Sequence, residues 1–474
     1  MYNILDDNNL NLLNKSNKIL DITDNYRGPL TYFLSALFLK IFDNSYHYAY
    51  LSNQIFNIIC IFSIYKLAIL FKDSSTGVWA SLIFSFSSLI INLRSDYLID
   101  LSLTAFCSLT LFIFTKWYLE KKLNNYYAIL SGASLGLIFL VKPSGIAFFI
   151  LPFLTIFFNL LINRKSTFSY INQTSLFIFS FILIIFPWFS RHWLTIITST
   201  INAWNWGIDY QEGYEINSLD SWLYYIKLLP KIFGIFSSSI LFLIFIFEKI
   251  SQKNLLKINF KKLDKINLWF LIYFLNCYLI VSLMSTKDIR FILPIYPLLC
   301  IYLSKFITTK NFKYFTAKSK KIILVTTIIL SLLASKYELI FKNINKNLTY
   351  EWPHYEIIKE IKSKTPNLNT TLAILPDTKE INTFNLEAEA AKQGEYVAVR
   401  QIISNEETYK DDLKYFDWFL LKTGSQGVMS NKSKNLLSKY LLNNSFFIID
   451  NEWELRDKTK IILMRRKTSN TLLS

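Results

Sequence analysis

The sequence predicts an all-α polytopic membrane domain of about ten spanning helices plus an interfacial helix, followed by a small soluble α/β domain. Three observations lead there. Apolar runs of about 18 or more residues, the length a helix needs to cross a hydrocarbon core, recur as far as residue 340. Hydrophobic residues make up 52% of the 474 and charged residues only 18%, too little charge for a soluble chain of this size, and mean hydropathy is positive at +0.29. From about residue 341 the pattern changes to short β-rich runs alternating with polar helical stretches.

The expected spans lie near 48–71, 76–92, 100–118, 126–141, 144–162, 171–189, 229–247, 267–285, 291–307 and 321–340. The run from Pro29 to Phe42 is too short to cross and reads as an interfacial or re-entrant helix. The chain thus divides into an N-terminal loop and interfacial helix (1–45), a transmembrane domain (46–340) and a terminal α/β domain (341–474). In that last domain TLAIL (371–375), YVAVRQI (396–402), DWFLLKT (417–423), SFFIID (445–450) and KIILMRR (460–466) read as strands, and 383–393, 405–415 and 431–442 as helices. Gly424 and Gly427 in KTGSQG mark a turn after a strand, without Walker spacing.

The net charge of +17 is membrane-related and does not point to nucleic acid, because the basic residues sit in short connectors between apolar runs. One set of connectors holds Lys72, Lys121, Lys122, Arg164, Lys165 and the lysines of 249–265 and 305–321; the alternate set holds only Arg94, Lys142, Arg191, Lys227, Lys287 and Arg290. The positive-inside rule puts the first set in the cytoplasm and the second, with the N-terminus and the terminal domain, on the outer face. No segment precedes the N-terminus to carry it across. Either a short tail translocates unaided or a spanning helix lies upstream, and the loop-like opening MYNILDDNNLNLL favours the second. Cys60, Cys107, Cys277 and Cys300 fall in apolar runs without zinc or disulfide spacing, and the polar first 29 residues are not a signal peptide.

Ionisable groups near membrane depth are costly and mark candidate chemistry. Asp96, Asp100 and Arg94 in NLRSDYLIDLSLTAF, Lys142 in GLIFLVKPSG, and Lys287 with Arg290 in STKDIRFILPIYP all belong to the lysine-poor face. Asp100 opens a spanning helix, where a carboxylate serves equally as an N-cap or as a group that positions an acceptor, a metal or a proton. Arg94 has a salt bridge with either acid as its plain role. Lys142 is a snorkelling lysine or a point charge for a lipid phosphate, and Arg290 is an interfacial anchor or a bidentate phosphate grip. The outer loop expected over 190–228 carries Trp193, Trp204, Trp206, Tyr210, Tyr214, Trp222, Tyr224 and Tyr225, interleaved with Asp209, Glu212, Glu215 and Asp220. These read as an interfacial belt or as surfaces that stack on sugars or a lipid tail. The N-terminal loop adds Asp6, Asp7, Asp21 and Asp24 before Arg27-Gly28-Pro29, either solvated acids or a base or metal site. His47, His192 and His354 lack metal-ligand spacing.

Taken in order, YRGPLTYFLSALFLKIF, LRSDYLIDLSLTAF, SGASLGLIFLVKPSG, FPWFSRHW and TKDIRFILPIYP resemble the motifs of GT-C type membrane glycosyltransferases. The nearest likeness is to the bacterial family 39-like group that resembles protein O-mannosyltransferases and the lipid A aminoarabinose transferase. The resemblance runs from about residue 26 to about residue 310. It implies a polyprenyl-phosphate sugar as donor and a glycan, lipid or protein as acceptor. It also implies a bacterial inner membrane with a periplasmic site, and inverting transfer of a hexose-type sugar. Asp100 then matches the second-loop aspartate, and Lys142 and Arg290 match the donor-phosphate cations, with Lys287 and Arg94 beside them. The first acidic motif, usually Asp-Glu, finds only Asp6-Asp7 here, and the family's His before Pro-Pro is replaced by Arg27-Gly28. A carboxylate, with or without a divalent metal, is expected to deprotonate the acceptor, and Trp204, Trp206, Tyr210 and Glu212 to line the substrate loop. Rival readings are a flippase for lipid-linked sugars, a non-catalytic subunit of envelope polysaccharide assembly, and a polymerase or ligase using a diphosphate-linked glycan.

Overall fold

The computed structural model describes residues 12–21, 27–42, 46–95, 98–120, 124–162, 167–209, 218–234, 264–284, 287–308, 352–365, 370–378, 380–402, 409–427, 431–455 and 458–467, with 322, 325, 326 and 329. The chain divides into two compact units, one of Met1–Ala203 with Tyr214–Ile340 and one of Phe341–Ser474 with Trp204–Gly213. Along the first part run α1 (Leu12–Leu20), α2 (Leu30–Phe42), α3 (Ser52–Phe71), α4 (Ser74–Ser85), α5 (Ser88–Ser95), α6 (Asp100–Leu119) and α7 (Asn125–Val141). There follow α8 (Ile150–Ile162), α9 (Thr167–Asp209), α10 (Leu219–Phe233), α11 (Lys265–Leu283) and α12 (Tyr296–Thr308).

Helix α6 is the hub. It is apolar all round and buried at nearly every position, as such a helix must be. It packs between α3 and α7. Helix–helix contact inside lipid depends on close packing and on paired polar groups, and both devices are present. Gly132 and Gly136 form a Gly-x-x-x-Gly stripe on α7. A Cβ on Gly132 would lie 2.1 Å from the Phe177 carbonyl oxygen, so only glycine lets α9 approach. Hydroxyls pair at 2.7 Å between Thr31 and Ser102 and at 2.8 Å between Ser35 and Ser52, fixing α2 against α6 and α3. Trp117 donates its indole N–H to Gln173 at 2.9 Å, and Trp269 donates to Thr115 at 2.8 Å.

Among the described residues four stretches are long and apolar enough to cross a membrane: Ser52–Phe71, Asp100–Leu119, Ile171–Ile201 and Lys265–Leu283. A fifth is α4 with α5, counted together. Leu30–Phe42 and Asn125–Val141 are shorter apolar helices. Most of the expected 229–247 span and nearly all of 321–340 lie outside the described residues.

Three expectations are corrected. The stretch read as one span at 76–92 is two helices bent by 63°, because Ser87 turns its hydroxyl onto the Phe84 carbonyl at 2.9 Å and competes with the helical ladder. The loop expected from 190 is helix as far as Asp209, since no breaker stands between Pro187 and Gly207. The resulting α9 has 43 residues and is roughly 65 Å long at 1.5 Å per residue. The span expected to begin at 229 is interrupted where Gly234, at φ 92°, ends α10. The N-terminal loop also contains the unexpected α1. Its C-terminal end is held by Arg191, which donates to Asn17 and forms an ion pair with Asp21 at 2.5 Å. His192 hydrogen-bonds the Leu20 carbonyl at 2.8 Å.

In the second unit the elements are α13 (His354–Lys364), β1 (Thr370–Ile374), α14 (Thr383–Lys392), β2 (Val397–Gln401), β3 (Trp418–Lys422), α15 (Asn431–Asn443), β4 (Phe447–Glu454) and β5 (Lys460–Arg466). The sheet order is β2-β1-β3-β5-β4, with β1 parallel to β2 and β3, and β5 antiparallel to β3 and β4. Alternation builds two cores. Leu372, Ile374, Trp418 and Leu420 face Ile357, Ile361 and Leu386, while Ala373, Leu375, Phe419 and Leu421 face Leu437 and Leu441. The helix expected at 405–415 is only a turn at Tyr409–Asp412 and a 3-10 turn at Leu413–Tyr415 within the described residues. Helix α13, missed in the sequence, fastens by Ile357, Ile358 and Ile361.

Candidate active site

Residues far apart in the chain meet at one end of α6. Ile99 is the N-cap of α6, and Asp100 stands one position later at the first residue of the helix, so the plain N-cap role is not its own. Its side chain is only 10% exposed and lies 3.4 Å from Arg290 Nη1. Lys142 follows α7, where its N–H closes the helix on Ile138 and Pro143 starts a 3-10 turn. A Cβ on Gly145 would come within 2.8 Å of Leu103 Cδ1, so glycine lets this turn sit tightly on α6. Asn276 of α11 ties the turn by donating to the Ala147 carbonyl at 3.0 Å.

Arg290 enters on a 3-10 turn at Ile289–Ile292, capped by Asp288, whose carboxylate accepts the Arg290 N–H at 2.9 Å. The same carboxylate takes Nε at 2.9 Å and Nη2 at 2.5 Å, occupying the guanidinium fork. The turn is fixed in place because Tyr273 of α11 donates to the Pro294 carbonyl at 2.9 Å. Burial works to raise the Asp288 carboxyl, but the Arg290 hydrogen bonds, with the charges of Arg290 and Lys142, hold it below its ordinary value. Burial likewise works to lower the Arg290 guanidinium, and the hydrogen bonds it donates to Asp288, with the charges of Asp100 and Asp288, carry it above its ordinary value.

Asp100, Lys142 and Arg290 line a cavity of about 70 Å³, bordered also by Leu103, Ser144, Phe148, Ile280, Met284, Phe291, Leu293 and Pro294. It has room for a few waters or one phosphate-sized group. Lys142 Nζ stands 5.4 Å from the Phe291 ring centre. A further cation arrives through Arg27-Gly28-Pro29. Gly28 donates its N–H to the Val141 carbonyl at 3.0 Å, and a Cβ there would lie 2.0 Å from the Leu140 oxygen. That contact brings Arg27 close enough for its charge to oppose that of Arg290. Arg27 also donates to the Tyr32 hydroxyl at 3.4 Å. Three cations thus meet two carboxylates, an arrangement suited to an anion.

Asp100, Lys142 and Arg290 come together on one cavity. Lys287 does not point into the cavity; it caps α11 by donating to the Val281 and Ser282 carbonyls at 3.0 and 2.6 Å, and burial pushes its ammonium down to about 8. Arg94 lies apart, on a different cavity with Asn57 and Ser85. Trp204 and Trp206 fall in the last turns of α9. Asp6, Asp7, Asp96, Tyr210 and Glu212 lie outside the described residues. Arg27 and Asp288 were not assigned to the site from the sequence, although Asp288 stands between two residues that were and Arg27 opens a quoted motif. Among the described residues no three His, Cys, Asp or Glu side chains gather closely enough to hold a metal.

Two solved structures superpose on nearly the whole chain. One is ArnT from Cupriavidus metallidurans in the apo state, at TM-score 0.54 and 12% identity over 94% of this chain and 90% of that one. The other is ArnT from the same organism bound to undecaprenyl phosphate, at TM-score 0.53 and 12% identity over 92% and 88%. The protein has the GT-C glycosyltransferase fold. Within this GT-C fold, residues 26–191 match the sequence family of dolichyl-phosphate-mannose-protein mannosyltransferases, a stretch that contains Arg27, Asp100 and Lys142. Comparison with curated protein sequences gives no match.

Proposed function

We propose that the protein is an inverting membrane glycosyltransferase that moves a hexose-type sugar from a polyprenyl-phosphate donor to a glycan, lipid or protein acceptor. Its cavity and terminal domain lie on the outer face of a bacterial inner membrane, as the lysine-poor connectors suggest. The observation that carries the reading is the convergence of Asp100, Lys142 and Arg290 on one cavity. The undecaprenyl phosphate bound by a structurally similar ArnT supports the donor class.

In this mechanism Arg27, Lys142 and Arg290 hold the donor phosphate. The acceptor hydroxyl attacks the anomeric carbon opposite that phosphate, and the carbon–oxygen bond to phosphate breaks with its electron pair leaving on the phosphate. The cations stabilise the charge that grows there. The acceptor proton passes to a carboxylate, for which Asp100 is the best-placed described group and Asp6, Asp7 and Asp96 are the alternatives. Trp204, Trp206, Tyr210 and Glu212 are proposed to face the substrate.

Labelled polyprenyl-phosphate sugar incubated with membranes containing the protein tests the reading. Transfer that disappears in Asp100→Asn supports it; no transfer by the wild-type chain to glycan, lipid or protein would refute it.

A further inference from the structure

Helices α3 and α4, with Arg94 of α5, border an open groove of about 460 Å³, within the size range of ligand pockets. Tyr65, Ile61, Val78, Ser81 and Leu82 line the part away from the bend between α4 and α5, which is mostly apolar. Asn57, Ser85, Phe86 and Arg94 line the part beside the bend, where most of the polar groups are. The flank beside it carries exposed Ile58 and Phe62 on α3 and Val78 on α4, apolar surface suited to lipid.

Arg94 stands at the polar end, beside the bend between α4 and α5. Its Nη2 donates to the Ser85 carbonyl at 2.5 Å and to Asn57 Oδ1 at 3.4 Å. These are neutral acceptors. Its Nε is buried without a hydrogen bond. Among the described residues no carboxylate forms an ion pair with it, whereas Arg290 has two. A cation at the head of an apolar groove, with no counter-charge among the described residues, leaves an electrostatic cost that an outside anion offsets.

The geometry points to a lateral site for an anionic phospholipid of the surrounding bilayer. One acyl chain lies between α3 and α4 along Ile61, Tyr65, Val78 and Leu82, and the headgroup phosphate accepts hydrogen bonds from Arg94. Charge complementarity selects the anionic headgroup and the apolar groove selects the chain. The site is distinct from the Asp100–Arg290 cavity and does not depend on the proposed transfer reaction.

The test is lipid binding by the full chain in detergent. Native mass spectrometry and thermal unfolding would be measured with added phosphatidylglycerol, phosphatidylcholine, undecaprenyl phosphate or inorganic phosphate. The expected result is one retained phosphatidylglycerol and a raised unfolding midpoint, neither reproduced by phosphatidylcholine or inorganic phosphate. Arg94→Gln weakens that binding about tenfold or more, and Val78→Trp, which fills the groove and keeps the cation, does the same. Should Arg94→Gln fail to fold, Val78→Trp decides. Wild-type-like phosphatidylglycerol binding in the folded variants, equal stabilisation by inorganic phosphate, or retention of undecaprenyl phosphate alone would each overturn the assignment.

Discussion

Arg290 and Arg94 each stand beside the end of an apolar helix, and a sequence reading gives both the same task. Their surroundings separate them. Arg290 has its fork on Asp288 and a third donor toward Asp100, with Lys142 and Arg27 nearby. Arg94 meets a backbone carbonyl and an asparagine at the mouth of an apolar groove. The difference teaches that a cation near membrane depth is defined by its counter-charge. Two carboxylates hold Arg290 in one orientation. Among the described residues Arg94 has none, which is why an outside anion is proposed for it.

The largest expected effect is at the paired arginine. Arg290→Ala and Asp100→Asn each lower sugar transfer by about a hundredfold or more, on the scale of a lost charge-stabilising donor or general base, while membrane insertion is unchanged. Full activity in either variant would remove that residue from the site. Asp288→Ala frees the guanidinium fork and is expected to cost roughly tenfold in transfer, through kcat more than through donor KM, because orientation is lost and charge is kept. Asp288→Asn, which still accepts one N–H, recovers part of the loss; a loss confined to KM would argue against a positioning role.

Lys287 gives a smaller effect with a defined pH sign. Its folded value, about 8, lies below the ordinary lysine value, so its burial cost is fully present below that pH. The unfolded chain then binds more protons as pH rises through 8, and stability from this group increases toward its ordinary value. Replacement by arginine keeps the charge, so the wild-type unfolding midpoint should gain on Lys287→Arg between pH 8 and 10 and run parallel to it below pH 7. A constant difference across the whole range would show that Lys287 does not titrate there. The smallest change in transfer is expected for Arg94→Gln, within about threefold of wild type, since its guanidinium does not line the Asp100 cavity. A hundredfold loss there would make the two arginines equivalent after all.

Elements are legible in this sequence where burial covers every face. The short, nearly unbroken apolar runs in TLAIL and DWFLLKT mark β1 and β3 because both faces of each strand pack on a core. The uncharged, mostly apolar run from Leu101 to Phe114 marks α6 because nearly every position is covered. Helix breaks and continuations are less legible. Ser87 ends a helix through a hydroxyl that propensity treats as neutral, and α9 passes Arg191 and His192 because those side chains are taken up by the end of α1. In the site, Asp100, Lys142 and Arg290 stand at helix ends and carry recognisable motifs. Arg27 and Asp288 depend on contacts that sequence does not display: a glycine amide reaching Val141, and a carboxylate turned back on its second neighbour.

The clamp on Arg290 has a consequence for how any phosphate is captured. An incoming anion meets donors already satisfied by Asp288, so docking is an exchange of one partner for another and not the filling of an empty socket. Any anion that takes this fork must first displace the Asp288 carboxylate. In the proposed transfer, the resident carboxylate would retake the fork as the phosphate departs, so that turnover would reset the arginine without drawing on solvent ions.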